Sequence, residues 1–118
     1  MWYIKRDGLG GVGGEGLTGG AAGWISGLTS PLPRESVELV AAMNTEELAG
    51  ALDIYRWFMP LLQLDAEHDL VQSLKLAEQI MGRGNERVRM PRMPLTGARR
   101  AEVTATVEKA AATRPCAQ

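Results

Sequence analysis

The chain has 118 residues and a formal net charge of −1, so we expect at most one domain. It carries no charge excess of the kind that nucleic-acid binders and membrane-surface proteins use. Its single cysteine, Cys116, excludes a disulfide framework or a cysteine-based metal site within one chain. No apolar run approaches the ~18 residues of a membrane span, and no signal-peptide core is present. The sequence therefore predicts a soluble, cytoplasmic protein.

Glycine dominates the first nineteen residues. After Trp2-Tyr3-Ile4, eight glycines follow from position 8 to position 20. Glycine at this density has a large backbone entropy cost and supplies few side chains to bury, which predicts a loosely ordered leader over residues 1–19. Two stretches, residues 8–13 and 11–16, match the dinucleotide-binding pattern G-x-G-x-x-G. Dinucleotide binding needs a strand before the motif and a helix after it. The residues before the motif do not predict a strand and those after it do not predict a helix, so we expect no cofactor.

Residues 20–28, with the sequence GAAGWISGL, form the one stretch whose pattern predicts a buried β-strand. Small residues lead into a short apolar run, and Gly27 with the following Thr-Ser-Pro closes it, which places the strand at about 21–28. A single strand cannot satisfy its own backbone N–H and C=O groups, yet no other segment has a strand pattern. We therefore expect the chain to be the end part of a larger fold.

After Pro31 the apolar residues recur with a helical period. Four helices are predicted, at about 33–43, 45–64, 69–81 and 98–113. Pro33 suits the first turn of the first helix. Asn44 with Glu47 resembles a capping box for the second helix, and Thr96 is the expected cap of the fourth.

Proline and glycine predict the interruptions. Pro60, inside the second helix, should bend it or remove a hydrogen bond. Gly82-Arg83-Gly84-Asn85 should end the third helix through a left-handed residue. Pro91 and Pro94 impose an extended, non-helical course on the segment before the last helix.

Two groups of side chains within the helices have both a functional and a structural interpretation. The aromatic cluster Tyr55, Trp57 and Phe58 could line a ligand site, but its helical spacing favours core packing. His68, between two acidic residues, suggests a metal or acid–base site. The chain has no second histidine, and an acidic run at a helix start is ordinarily a solvated cap. We therefore expect no metal ligand here.

Charge is distributed unevenly along the chain. Residues 83–100 contain six arginines and one acid, Glu86, whereas residues 34–69 contain eight acids and two arginines. The basic segment could contact nucleic acid, but it has no interleaved aromatic residue on which a base could stack. Mutual charge complementarity of the two regions is the simpler interpretation, so we expect no nucleic-acid partner.

Four stretches, in order, resemble the C-terminal part of the dihydrodipicolinate synthase/N-acetylneuraminate lyase family, whose members are (β/α)8-barrel class I aldolases and lyases. Residues 20–26 (GAAGWIS) resemble the eighth barrel strand. Residues 51–61 (ALDIYRWFMPL) and 70–77 (LVQSLKLA) resemble two helices that follow it. Residues 89–95 (RMPRMPL) resemble the R-x-P-x-x-P-L segment before the last helix.

The resemblance implies a mainly α fold, in which residues 20–114 supply the last barrel strand and the helical C-terminal region, and residues 115–118 form a tail. It implies a lyase that forms a Schiff base with a 2-oxo acid such as pyruvate, with homo-oligomers among full-length relatives. Of the family's substrate pocket, it assigns only Ile25, through its backbone carbonyl.

The family's catalytic lysine and tyrosine have no counterpart in this sequence. Lys5, Lys75 and Lys109 lie outside the position of the family's nucleophile. A backbone carbonyl cannot replace a lysine that forms the covalent intermediate. We therefore expect no catalytic residue in the chain and no activity from the chain alone. The alternative is a non-catalytic helical module that binds a partner through the surface that the barrel would cover.

Overall fold

The computed structural model describes residues 2–5, 8–9, 21–45 and 48–115, with side chains described for 25–45 and 49–115. The strands are β1 (Trp2–Lys5), β2 (Gly8–Leu9) and β3 (Ala21–Ile25). A 3-10 turn (Gly27–Thr29) follows β3. The helices are α1 (Pro33–Asn44), α2 (Leu48–Ala66), α3 (Leu70–Ile80) and α4 (Gly97–Ala112). The described chain is mainly helical, which confirms the predicted class and the four helices in their predicted order.

Strand β3 has a neighbour that the sequence analysis did not predict. β1 pairs with β3 in antiparallel register, with Trp2 opposite Ile25, and β2 pairs with the other edge of β1. The expectations of one strand and of an irregular N-terminus are therefore wrong at residues 2–5 and 8–9. Strands of four and two residues are too short to show a clear alternation in the sequence. Residues 10–20 of the glycine tract lie outside the described residues. The two motif matches, at 8–13 and 11–16, therefore fall outside them except at residues 8–9.

Strand β3 ends at Ile25 rather than near residue 28 because the backbone turns into the 3-10 segment. The Ser26 hydroxyl accepts a hydrogen bond from the Leu28 backbone N–H at 3.3 Å. The Thr29 hydroxyl donates to the Ser26 carbonyl at 2.5 Å. These bonds satisfy backbone groups that a strand would pair with a neighbour, and they direct the Leu28 side chain into the helical core.

The boundary between α1 and α2 differs from the prediction. Thr45 ends α1 instead of opening α2: its backbone N–H and its hydroxyl both donate to the Ala41 carbonyl, at 3.1 and 3.2 Å. A threonine can serve either helix end through its hydroxyl, so the sequence pattern did not distinguish them. Helix α2 then begins at Leu48 and continues through Pro60. Because proline has no N–H, the Arg56 carbonyl, four residues earlier, loses its intrahelical donor.

The predicted helix ends around the last two helices are confirmed. Gly82 has a φ of +70° after α3, where the Arg83 N–H donates to the Glu78 carbonyl at 2.8 Å. The segment up to Thr96 is non-helical, as the prolines predict. Thr96 occupies the N-cap position of α4, although its side chain makes no capping hydrogen bond.

The four helices and the 3-10 turn share one hydrophobic core. Phe58 and Leu61 of α2 are 0% exposed and lie at its centre, which explains why the apolar stripe of that helix is wide. The buried apolar side chains of this core are Leu28, Leu32, Leu39, Phe58, Leu61, Leu64, Leu76, Ala77, Val103, Val107 and Ala110. All four helices contribute, so the helical region is held together by burial that the described residues provide themselves.

A buried ion pair joins the first helix to the end of the last. Glu35, in the first turn of α1, is 0% exposed, and its Oε1 accepts a hydrogen bond from Arg114 Nε at 2.5 Å. Its other carboxylate oxygen has no hydrogen-bond partner. The helix dipole favours an anion at this end of α1, and the guanidinium supplies the opposite charge.

Removal of Arg114 tests this ion pair. We expect Arg114→Ala to lower the free energy of unfolding by about 3 kcal/mol, because it leaves the Glu35 carboxylate buried without its cation. In a Glu35→Gln background the same substitution should cost much less, since no buried charge remains. Urea unfolding of the four variants measures the coupling. Equal costs in the two backgrounds would contradict the proposed role of the charge.

Gly27 provides a test of the junction between β3 and the helices. A Cβ atom at this position would overlap the Leu74 side chain of α3. We expect Gly27→Ala to lower the free energy of unfolding by about 1–3 kcal/mol through this overlap. Leu74→Ala should offset part of that loss in the double variant, because it makes room for the added methyl. Strictly additive effects in denaturant titrations would count against the contact.

Candidate functional site

The carboxyl end of β3 is the candidate site, because the one pocket residue expected from the sequence, Ile25, ends this strand. The Ile25 side chain is 59% exposed, whereas Ser26 after it is buried. The hydroxyls of Ser26 and Thr29 are already used within the turn. The strand end can therefore offer backbone groups and an apolar side chain to a neighbouring molecule or segment.

Helices α2 and α3 close against this strand end. The position that a Cβ of Gly27 would take lies 3.2 Å from an Asp65 carboxylate oxygen and overlaps Leu74. Only a residue without a side chain lets the 3-10 turn come this close to both helices. The carboxyl end of β3 is thus a tightly packed junction on the helical side.

Neither of the two lysines whose side chains the structure describes lies at this junction. Lys75 of α3 forms an ion pair with Glu78 at 2.7 Å, one turn further along the same helix. Lys109 is in the last turn of α4 and lines a cleft between α2 and α4. Schiff-base chemistry needs an amine beside the bound carbonyl compound, and these two lysines lie away from the end of β3.

The aromatic cluster is part of the core, which confirms the structural interpretation. Phe58 is fully buried, and Tyr55 and Trp57 pack against the core around it. The Trp57 and Phe58 rings meet edge to face, with centroids 5.0 Å apart and an interplanar angle of 74°. The Trp57 indole N–H donates to the Thr113 hydroxyl at 3.2 Å and so holds α2 against the end of α4.

His68 is exposed in the turn before α3. Its neighbour Asp69 is directed to α4, where it meets Arg99. Across residues 25–45 and 49–115, no three acidic, histidine or cysteine side chains come together as a possible metal site. In the same part of the chain, no helix combines the length and apolarity needed to cross a membrane.

Among the side chains that the structure describes, the expected complementarity between acidic and basic regions takes the form of one strong contact. Arg99 Nε and Nη2 donate to the two oxygens of Asp69 at 2.8 and 2.9 Å. Arg100 makes a similar two-bond contact, at 3.0 Å each, but with Glu86 of its own segment. Such paired bonds are stronger than single neutral hydrogen bonds. Through these bonds, Arg99 and Arg100 connect α4 to the segments that precede it.

These contacts shift the pKa values of the partners. The hydrogen bonds from Arg99 hold the pKa of the Asp69 carboxyl below its usual value of 3.8, against the opposing effect of burial. The Arg100 hydrogen bonds lower the pKa of Glu86 in the same way. The pKa values of both arginines are raised, chiefly by the hydrogen bonds to these carboxylates. All four groups are therefore charged near neutral pH.

Sequence reasoning missed a cleft of about 290 Å³ between α2 and α4, here called the α2–α4 cleft. Its lining residues are Arg56, Trp57, Pro60, Thr106, Lys109, Ala110 and Thr113. The i, i+4 spacing of Arg56 and Pro60 could have indicated one face of a helix, but no sequence signal shows that α4 lies opposite. A second cavity, of about 370 Å³ between α1 and α2, is lined mainly by small and apolar residues.

Comparison with known proteins identifies the family to which this chain belongs. The chain matches the Dihydrodipicolinate synthetase family over residues 7–110, and it belongs to that family. The resemblance found in the sequence is thereby confirmed.

A curated relative is the 4-hydroxy-tetrahydrodipicolinate synthase of Acidobacterium capsulatum, which is 34% identical over 84 residues. That alignment covers 71% of this chain but only 28% of the relative, so the chain corresponds to a minor part of its length. No solved structure matched the chain.

The Asp69–Arg99 contact predicts acid sensitivity. Because the folded-state pKa of Asp69 is lowered, its stabilisation is fully present above the ordinary value of 3.8 and is lost as pH falls through the folded value. We expect Asp69→Asn to lower the free energy of unfolding by about 2 kcal/mol at pH 6. The difference between wild type and variant should shrink below about pH 4.

Denaturant titrations from about pH 7 to about pH 2.5, a range that spans the ordinary pKa of a carboxyl group, measure this difference. Asp53→Asn is the matched control, since Asp53 contacts Arg56 at 3.4 Å with both side chains more than 70% exposed, and it should change little. A wild-type-to-variant difference that stays constant down to pH 2.5 would contradict the assignment.

Proposed function

We propose that this chain supplies the last strand and the helical C-terminal region of a (β/α)8-barrel lyase that acts on 2-oxo acids such as pyruvate. Family membership over residues 7–110 is the observation that carries the proposal. The relative, a 4-hydroxy-tetrahydrodipicolinate synthase, supports carbon–carbon bond chemistry of this class. In such barrels the active site lies at the carboxyl ends of the strands, which is where Ile25 lies on β3.

In this proposal the chain contributes one wall of the substrate pocket. The Ile25 backbone carbonyl would face the pocket, and the buried 3-10 turn would hold it in position. The chemistry belongs to a lysine that condenses with the ketone of the 2-oxo acid, releasing water and forming an imine that accepts electrons. Because Lys75 and Lys109 are placed elsewhere, the chain alone is proposed to be inactive.

Two exposed side chains support a larger assembly. Ile25 is 59% exposed at the end of β3, and Val37 is 68% exposed on α1. Barrel strands run parallel to both neighbours, whereas β1 lies antiparallel to β3. In the proposed assembly, parallel barrel strands would therefore replace β1 at the edge of β3 and would cover Ile25.

The first test measures Schiff-base formation. The purified chain is incubated with pyruvate and sodium borohydride, which reduces any lysine imine to a stable secondary amine. We expect intact-mass spectrometry to show no adduct, because neither lysine within residues 25–45 and 49–115 is beside the strand end, and Lys5 pairs with Ala21 at the opposite end of β3. A pyruvate-competent synthase of this family, treated in parallel, is the positive control. An adduct on any lysine of this chain would refute its inactivity.

The second test asks whether the chain completes a barrel. The chain is co-expressed with the part of the Acidobacterium capsulatum synthase that precedes its matched segment. Borohydride trapping on that partner should appear only when both polypeptides are present. Ile25→Asp should abolish this trapping by placing a charge at the barrel edge, whereas Asp53→Asn, on an exposed part of α2, should not. Trapping that is equal with and without the chain would overturn the proposal.

The alternative function is a non-catalytic helical module. The observation that favours it is the shared core of α1 to α4, which is filled by the described residues themselves. Such a module should unfold cooperatively as a monomer, with one transition seen by circular dichroism and fluorescence. Cooperative unfolding together with failure of the co-expression test would favour this alternative.

A further inference from the structure

We propose that the α2–α4 cleft binds a small organic carboxylate that has an apolar body and carries a hydrogen-bond donor such as a hydroxyl group. The site is independent of the proposed barrel pocket, because it lies between helices rather than at the end of β3. Its volume of about 290 Å³ suits one small molecule. Its recognition has three parts: an apolar wall, two cations and a carbonyl released by Pro60.

The apolar wall is held in a fixed position. The Trp57 ring is clamped by its edge-to-face contact with buried Phe58 and by its N–H bond to Thr113. The Pro60 ring and the Ala110 methyl complete this surface. A rigid aromatic wall can receive an apolar ligand with little loss of side-chain entropy.

Two cations, one from each helix, lie at the same cleft. Lys109 comes from α4, and its amine forms no ion pair with an acidic side chain of residues 25–45 and 49–115. Arg56 comes from α2, and its one ion pair with the described acidic side chains is a long, exposed contact with Asp53 at 3.4 Å. Within residues 25–45 and 49–115, no acidic side chain lines the cleft. An anion that reaches both cations would therefore meet no opposing carboxylate in the lining.

The third part follows from proline within a helix. Pro60 cannot donate to the Arg56 carbonyl, and residues four apart lie on one helix face. Arg56 and Pro60 both line the cleft, so the released carbonyl lies on the cleft side of α2. This acceptor suits a ligand hydroxyl.

The probes are three matched compounds: phenyllactate, 3-phenylpropionate without its hydroxyl, and 3-phenylpropanol without its carboxylate. Binding is followed by the indole N–H signal of Trp57 in ¹H–¹⁵N NMR, assigned by its loss in Trp57→Phe. We expect phenyllactate to saturate the shift with a Kd on the order of 1 mM. The acid without the hydroxyl should bind several-fold more weakly, and the alcohol more weakly still.

Three variants separate the parts of the site. Lys109→Gln should weaken phenyllactate binding about tenfold, whereas Lys75→Gln, whose lysine pairs with Glu78 outside the cleft, should leave it unchanged. Pro60→Ala restores a backbone donor to the Arg56 carbonyl and should remove the preference for phenyllactate over 3-phenylpropionate. This variant improves helix propensity, so loss of folding is not its expected effect.

Several results would overturn the proposal. They are an absence of saturable shift at Trp57, equal binding of the alcohol and the acids, and phenyllactate binding that Lys109→Gln leaves unchanged. Retention of the hydroxyl preference in Pro60→Ala would overturn the role of the released carbonyl. None of these outcomes depends on the co-expression test, so failure of the barrel proposal and failure of this one are distinguishable.

Discussion

The close approach of the 3-10 turn to the helices is the constraint on which the rest of the structure depends. Leu28 enters the core while Gly27 passes so near Leu74 that a methyl group would overlap it. This packing orients the end of β3 relative to α2 and α3. A residue that served a pocket from the end of β3 would be held in place by helical packing rather than by the strand alone. Position at the strand end is therefore coupled to the stability of the helical core.

A second constraint closes the helical region at its far end. The Glu35–Arg114 pair joins residues 79 positions apart, and the Asp69–Arg99 contact joins α3 to α4. In the first pair Glu35 is fully buried, so the main effect of Arg114 is to neutralise a carboxylate that would otherwise be buried without a cation. The second has two bonds and a solvent-reachable arginine, so it adds pH-dependent stability. Together they hold α4 and the residues just after it against α1 and the start of α3.

The fold places two possible binding features in different regions. The end of β3 carries Ile25, for which we propose a position beside a substrate pocket, and neither lysine with a described side chain lies there. The α2–α4 cleft carries cations, a clamped aromatic ring and a carbonyl released by proline. The proposed pocket would need further barrel strands, whereas the α2–α4 cleft is formed by two helices, so the two can be examined separately. The antiparallel pairing of β1 with β3 marks the place where an assembled barrel would have to differ.

The sequence by itself determined the four helices, the family and most helix ends, because helical periodicity, Gly82 and the prolines act through local geometry. Local patterns could not decide whether Thr45 ends one helix or starts the next, since its hydroxyl suits either role. The tertiary structure alone decided that β1 pairs with β3, that Arg99 reaches Asp69, and that Lys109 lies across from Arg56. Each of these contacts joins segments distant in sequence, where packing and available hydrogen-bond partners, not local propensity, select the neighbour.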